Sequence, residues 1–331
     1  MRATLNHLFE YKTLSRVEAK EVLTGIGKGI YNNSSVAAFM SVFLMRSISV
    51  EELAGFRDAL LELCLPVKFD TNETIDIVGT GGDGKNTFNI STLSCLVAAG
   101  AGVRVTKHGN YGVSSVSGSS NVLEKCGVKF TNDVGVLNKQ LNESGVCFMH
   151  APLFHPAMKT VAPVRKELGV RTFFNLLGPV VNPCKPRYMI LGTYNLEIMR
   201  LYNYLLQETA HDYIIIHALD GYDEISLTGE MKITSKEKEQ ILSSLDMGFE
   251  NVKQEEISGG EKVDDAAKIF MQILNGEGTK AQNSVVSANA AMAIHCVKKN
   301  QSFADCVLEA TESIESGKAY HSFKKLININ G

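Results

Sequence analysis

Over roughly the first 65 residues, apolar positions recur every three or four places, the spacing of helices that bury one face. In Val50–Leu63 the residues Leu53, Phe56, Leu60 and Leu63 share such a face, and Ser49 stands where an N-cap belongs. The same pattern predicts helices over Arg16–Lys28, capped by Ser15, and over Val36–Arg46, capped by Ser34 or Ser35. Pro66 closes this helical layer, and residues 67–73 read as a connector.

From Thr74 the rhythm changes to short β-branched runs alternating with helical patterns, which predicts an α/β sheet, mainly parallel. Strands are expected at Ile75–Val78, Val103–Thr106, Val146–Met149, Tyr188–Leu191 and Tyr213–His217. Helices are expected from about Ile90 to Ala99 behind Asn89, from Ser119 or Ser120 to Lys125, near Val136–Asn142, and at Leu196–Glu208. Three more are predicted near Asp264–Leu274, Ser287–Val297 and Ser302–Ile314. Six of the seven prolines lie between Pro152 and Pro186, so that stretch must interrupt the sheet, although His155–Lys166 keeps a helical pattern and Thr172–Leu177 reads as a further turn. It either covers the active site or returns to the helical layer.

Composition narrows the function classes. At 331 residues, 44% apolar and 21% charged, the chain has room for about two folded domains. A net charge of −3 without a long Lys/Arg run argues against nucleic acid or a membrane surface as the main partner. No stretch approaches the length of a membrane span and the N-terminus has no apolar signal core, so a cytoplasmic protein is expected. Seven widely spaced cysteines with no C-x-x-C pair point to reduced, buried thiols rather than disulfides or zinc.

The chemistry concentrates after the first predicted strand. Ten of the 28 glycines fall between Gly79 and Gly127, and Gly79-Thr80-Gly81-Gly82-Asp83-Gly84 forms a side-chain-poor loop whose N–H groups can approach an anion closely. Its letters match a dinucleotide fingerprint, but no Asp or Glu lies between Gly84 and Glu124 to hold a ribose. They also approach a P-loop, which fails because Asn86 occupies the place of the Mg²⁺-binding hydroxyl. A plain strand-to-helix turn is the structural alternative. Three features favour an anion site: the helix start Asn89-Ile90-Ser91-Thr92, the strand end Lys107-His108-Gly109-Asn110, and the small-residue loop from Ser114 to Ser120. Three such edges on one sheet suit a ligand with two separated phosphate groups.

These blocks have company further on. His155-Pro156-Ala157-Met158-Lys159 leads through Val161-Ala162-Pro163-Val164 to Arg165, followed by Arg171-Thr172, by Asn175 with Leu177-Gly178-Pro179, and by Asp223-Glu224. In this order, over about residues 5 to 325, the set resembles the anthranilate phosphoribosyltransferase family. The resemblance implies a small helical domain, residues 1–70 with about 153–185, interrupted by a larger α/β domain, residues 71–152 with 186–331. It also implies a homodimer through the helical parts. The implied reaction is the second committed step of tryptophan synthesis, transfer of the 5-phosphoribosyl group from 5-phosphoribosyl diphosphate to the amine of anthranilate.

Site residues follow from the resemblance. Gly79, Thr80, Gly82, Asp83, Thr87, Asn89, Ile90, Ser91, Thr92, Lys107 and Ser119 would bind 5-phosphoribosyl diphosphate. Gly79, His108, Asn110, Pro152, His155, Met158, Arg165 and Gly178 would bind anthranilate. Ser91, Asp223 and Glu224 would hold Mg²⁺, two ions per subunit, since magnesium prefers oxygen ligands and bridges substrate phosphates. Lys107 suits a point charge toward a phosphate, and the Arg165 guanidinium can pair bidentately with a benzoate group. An arylamine carries little charge at neutral pH, so contact rather than general-base work is expected of His108 and His155.

Two positions depart from the family pattern: Tyr111 stands where Arg is common, and Gly118-Ser119-Ser120-Asn121 replaces Gly-Ser-Ala-Asp. Both bear on the donors of the phosphate loops. Two rival readings use the same architecture. A pyrimidine nucleoside phosphorylase would lack Lys107-His108-Gly109-Asn110, and a non-catalytic nucleic-acid-binding relative should carry a basic stripe.

Overall fold

The computed structural model describes residues 1–112 and 116–329, so Ser114 and Ser115 of the third small-residue loop lie outside the described residues. The chain divides into two compact units, Met1–Val67 with Ala151–Lys185, and Lys68–His150 with Pro186–Gly331. Among the described residues no helix is long and apolar enough to cross a membrane.

The first unit is helical. Its N-terminal part holds Arg2–Phe9, Arg16–Gly27, Asn33–Met45 and Val50–Leu63. Ser15 and Ser49 cap as expected, each in a capping box with Glu18 or Glu52 three residues on. The third helix starts earlier than the periodicity suggested: Asn32 Oδ1 accepts from Ser35 N at 2.9 Å, so Asn32, not Ser34 or Ser35, is the cap. After the long insertion the chain adds Pro156–Leu168, with Pro156 at the start where a missing N–H costs nothing. The core is aromatic, with Phe56 stacked on Phe173 at 4.5 Å and Phe39 edge-on to both.

The second unit is built on one sheet. Among the described residues it has seven strands: β1 (Ile75–Gly79), β2 (Val105–Gly109), β3 (Val146–His150), β4 (Tyr188–Gly192), β5 (Asp212–Ala218), β6 (Met231–Ser235) and β7 (Glu239–Leu242). Their order is β3-β2-β1-β4-β5-β6-β7, parallel through β5 and antiparallel for the last two. The α/β class with a mainly parallel sheet is therefore as expected. The winding reverses between β1 and β4, the place where open α/β sheets bind ligands beyond their carboxyl ends.

Several boundaries differ from the periodicity, each for a local reason. Val103 N donates to Ala98 O at 3.0 Å, closing the end of the helix Ile90–Gly100, so β2 begins only at Val105 and carries Lys107 and His108 within the strand. Asp133 caps a helix over Val134–Ser144, longer than Val136–Asn142. A Thr279–Gln282 capping box starts Lys280–Val297 seven residues before Ser287. The short antiparallel strands β6 and β7 had no distinct sequence signal, and the final helix Lys318–Ile329, which buries Ala319, Ser322, Phe323 and Leu326 on one face, was not among the expected elements.

Candidate active site

The site is assembled at the carboxyl ends of β1 and β4. Gly79 and Gly192 are register partners there, and both lie directly under Asp223. A Cβ at Gly79 would stand 2.3 Å from Asp223 Oδ2, and one at Gly192 only 1.5 Å from the Asp223 carbonyl oxygen. Glycine at both strand ends is what lets the Asp223 segment settle on the sheet edge. The loop beyond β1 then turns through Gly81, Gly82 and Gly84, all at positive φ, and Gly81 N donates to Asp223 Oδ2 at 2.6 Å.

Glu224 reaches the start of the next helix. Its Oε1 accepts from Ser91 N at 2.8 Å and from Ser91 Oγ at 2.6 Å, which caps the helix Ile90–Gly100 from a segment 133 residues away. Asn89 was expected to cap that helix and does not. Its Nδ2 donates to Ser117 O at 2.9 Å, tying the helix start to the loop before Ser119. Ile90 is wholly buried, so only its backbone can face a ligand.

Asp83 completes a group of three carboxylates. It shares a hydrogen bond with Asp223 and accepts from the N–H groups of Lys85 and Asp223. Burial raises Asp83; burial, then Glu224 and Asp83, push Asp223 well above the carboxylate range; and burial pushes Glu224 up to about 7. The Ser91 bonds and the Lys107 charge draw Glu224 part of the way back. Lys107 is buried, and its Nζ donates to Ile77 O at 2.7 Å, beneath the loop. Three inward carboxyls that resist ionisation fit a divalent cation, which would favour their charged forms. The donors Ser91 Oγ, Asp83, Asp223 and Glu224 are all oxygen, the set magnesium prefers. No group of three His, Cys, Asp or Glu side chains among the described residues is spaced to hold a metal by itself, in keeping with an ion that takes much of its shell from phosphate and water.

Two buried oxygens in this edge have no protein partner among the described residues, Thr80 Oγ1 and Asn89 Oδ1. Each is an acceptor, and the Thr80 hydroxyl is also a donor, for a ligand lying along the loop. Thr92 is buried behind Ser91, and Thr87 forms an isolated bridge with Ser258. That bridge belongs to a clip that sequence reasoning missed: Gly259 N donates to Asn86 O at 2.7 Å and Asn86 Nδ2 to Gly260 O at 2.6 Å. Asn86, the residue that spoils the P-loop match, instead fastens the loop's exit.

At the end of β2, Asn110 O accepts from Ser120 N and Ser119 Oγ, and Asn110 Oδ1 accepts from Tyr111 N at 2.8 Å. The two departures from the family pattern lie here. Asn121 Oδ1 accepts from Gly112 N and Gly118 N, closing the neck of the loop, and the Tyr111 ring stands edge-on to His150 at 4.9 Å. His108 is buried within β2.

The remaining predicted residues belong to the helical unit. Pro152 lies on the single turn Ala151–Phe154, and His155, Met158 and Arg165 belong to the start and body of Pro156–Leu168. Gly178 begins a short 3₁₀ turn. Burial pushes His155 down to about 4, which leaves it neutral at physiological pH. Burial also lowers Arg165, whose guanidinium stands 5.5 Å over the Phe174 ring.

Comparison with known proteins agrees with the fold. Residues 71–320 match the glycosyl transferase family a/b domain and residues 2–64 its helical bundle domain. The chain is 56% identical to the anthranilate phosphoribosyltransferase of Christiangramia forsetii, over all of this chain and 99% of the relative. Among solved structures, the anthranilate phosphoribosyltransferase of Thermus thermophilus superposes with a TM-score of 0.92 at 32% identity, covering 98% of each chain. The Saccharomyces cerevisiae anthranilate phosphoribosyltransferase in complex with PRPP and Mg gives 0.91 at 27% identity, covering 99% of this chain and 98% of the yeast one.

Proposed function

The chain belongs to the anthranilate phosphoribosyltransferases of the glycosyl transferase family, and from that premise we propose how its residues divide the work. The reaction transfers the 5-phosphoribosyl group of 5-phosphoribosyl diphosphate to the amine of anthranilate and releases diphosphate, a step of tryptophan biosynthesis. The observation that carries the residue assignment is the closure of Asp223 and Glu224 onto the Gly79–Gly84 loop and Ser91, across 142 and 133 residues of chain.

Displacement at the sugar C1 passes through an oxocarbenium-like state, so the leaving diphosphate must be held and its charge met while the amine arrives in line. In our reading the loop Gly79, Thr80, Gly82 and Asp83, with Thr87 and the helix start Asn89–Thr92, binds the phosphoribosyl diphosphate. Lys107 and Ser119 bound the same substrate. Ser91, Asp223 and Glu224 hold Mg²⁺, two ions per subunit, whose chemistry when bound is to neutralise the diphosphate oxygens. The buried Thr80 Oγ1 and Asn89 Oδ1 support a ligand on this edge. Burial raises both Asp83 and Asp223, so a bound cation would favour their charged forms and loading would be easier at higher pH.

For the acceptor, we keep the assignment that the family resemblance implies: Gly79, His108, Asn110, Pro152, His155, Met158, Arg165 and Gly178. Arg165 pairs with the carboxylate, and the neutral His155 offers contact rather than proton transfer. The protein is read as a cytoplasmic homodimer that associates through its helical unit. Support comes from large apolar side chains exposed on that unit, including Phe9, Tyr11, Val17, Ile30, Leu44 and Met45.

The test is direct. Purified protein mixed with anthranilate, 5-phosphoribosyl diphosphate and Mg²⁺ should extinguish anthranilate fluorescence as product forms. No change at any metal concentration would sink the assignment.

A further inference from the structure

Asp223 and Glu224 sit on a stretch with no helix or strand between β5 and β6, so no ladder holds their backbone. The residue that follows them, Ile225, is wholly buried, and a buried peptide group without a partner is strongly unfavourable. Its partner is a side chain. Asn289, buried in the helix Lys280–Val297, accepts from Ile225 N with Oδ1 at 3.1 Å and donates to Ile225 O with Nδ2 at 2.8 Å. The amide thereby does for Ile225 what a neighbouring strand would do. A third bond, Nδ2 to Val285 O at 2.9 Å, locks the Asn289 rotamer against its own helix, so both groups that meet Ile225 are held in place.

That helix is otherwise an apolar element at the centre of the unit, with Ala288, Ala290, Ala291 and Ala293 fully buried around Asn289. An amide in such surroundings is costly unless every polar atom is used, and here all are. We propose that Asn289 is a positioning residue for the metal-binding carboxylates, fixing the backbone at Ile225 so that Asp223 meets Gly81 and Glu224 meets Ser91. The inference rests on the assignment of Asp223 and Glu224 to Mg²⁺ and diphosphate, and it adds a residue that touches neither ion nor substrate. Asparagine is required for geometric reasons: aspartate loses both donated bonds, and serine is too short to reach Ile225 while keeping a bond to its own helix.

The experiment compares the whole chain with Asn289→Ser, Asn289→Asp and Ser313→Ala. Ser313 is also buried, and its Oγ donates to Val97 O at 2.8 Å, in the latter half of the helix Ile90–Gly100 and away from its Ser91 end, so it reports general destabilisation. Calorimetric titration with Mg²⁺ and inorganic diphosphate should show affinity lowered about tenfold or more in both Asn289 variants and within twofold of the parent in Ser313→Ala. Amide exchange at Ile225 should speed up in the Asn289 variants while β1 and β4 stay protected. In turnover, the KM for 5-phosphoribosyl diphosphate should rise about tenfold and that for anthranilate stay within twofold. A fall in melting temperature with unchanged Mg²⁺–diphosphate affinity, or equal losses in Ser313→Ala, would overturn the proposal. A parent protein that binds Mg²⁺ and diphosphate without turnover would count against the reaction, and the Asn289 comparison would still be scored by affinity and exchange.

Discussion

At the scale of single residues, three carboxyls carry most of the predictive content. Glu224→Gln keeps the shape but removes the charge that meets Ser91 and that is proposed to meet the cation, so kcat/KM should fall about 10²-fold, the typical loss when one stabiliser of a charged transition state is removed. An unchanged Mg²⁺ dependence of the residual rate would refute its role as a ligand. The same group sets a pH response. Asp83, Asp223 and Glu224 are raised in the folded chain, Glu224 to about 7, whereas an unfolded chain releases those protons near pH ~4. Their contribution to stability is thus complete below about pH 4 and is lost as pH rises through about 7. Without divalent cations the melting temperature should drop between pH 5 and 7.5, and Mg²⁺ with diphosphate should restore more at pH 7.5 than at 5.5. A midpoint that rises over that interval would contradict it. In the helical unit, Arg165→Ala should raise the anthranilate KM about tenfold or more through loss of a charge-assisted bidentate pair. A selective loss of phosphoribosyl diphosphate affinity would move Arg165 to the other substrate.

At the scale of elements, a buried ion pair sets the entry of the helix Val50–Leu63. Glu52 is wholly buried; its Oε1 accepts from Leu14 N at 3.0 Å and Arg46 Nη2 at 2.5 Å, its Oε2 from Ser49 N and Arg46 Nη1, both at 2.9 Å. Burial alone would raise this carboxyl, yet the Arg46 pair and the two N–H groups outweigh it and hold it low. Glu52→Ala strands Arg46 and two N–H groups, so unfolding by urea should show a loss of about 3–5 kcal/mol. A loss under about 1 kcal/mol would mean water replaces the carboxylate. Elements were legible in proportion to how local their causes are. Ser15 and Ser49 cap because Glu18 and Glu52 stand three residues on, a signal contained in the sequence. The helix start at Ile90 is different, since its cap is Glu224, and local reading named Asn89 instead. Likewise β6 and β7 are short, and they become strands by pairing, β6 to β5 and β7 to β6, which no local pattern announces.

For the whole molecule, the homodimer proposal predicts a solution mass near twice the 36.1 kDa of one chain, measured by light scattering after size exclusion. Met45 is 84% exposed and Tyr11 82%, unusual for such apolar groups, and Met45→Glu should shift the population toward the single-chain mass. A monomer in the unsubstituted protein at micromolar concentration would end the proposal.

By itself, the sequence determined the alternation of helical and α/β segments, the glycine-rich loop after the first strand, and the ordered blocks that carry the family resemblance. These are local properties: periodicity, caps, strand runs and glycine clusters do not depend on distant partners. Only the tertiary structure decided that Gly79 and Gly192 are paired so that Asp223 can rest on them, that Glu224 rather than Asn89 caps the helix at Ser91, and that Asn289 braces Ile225 from 64 residues away. Each of those contacts joins segments far apart in the chain. Their geometry depends on the winding reversal between β1 and β4, which brings the carboxyl ends of the two strands together and exists only once the sheet has formed.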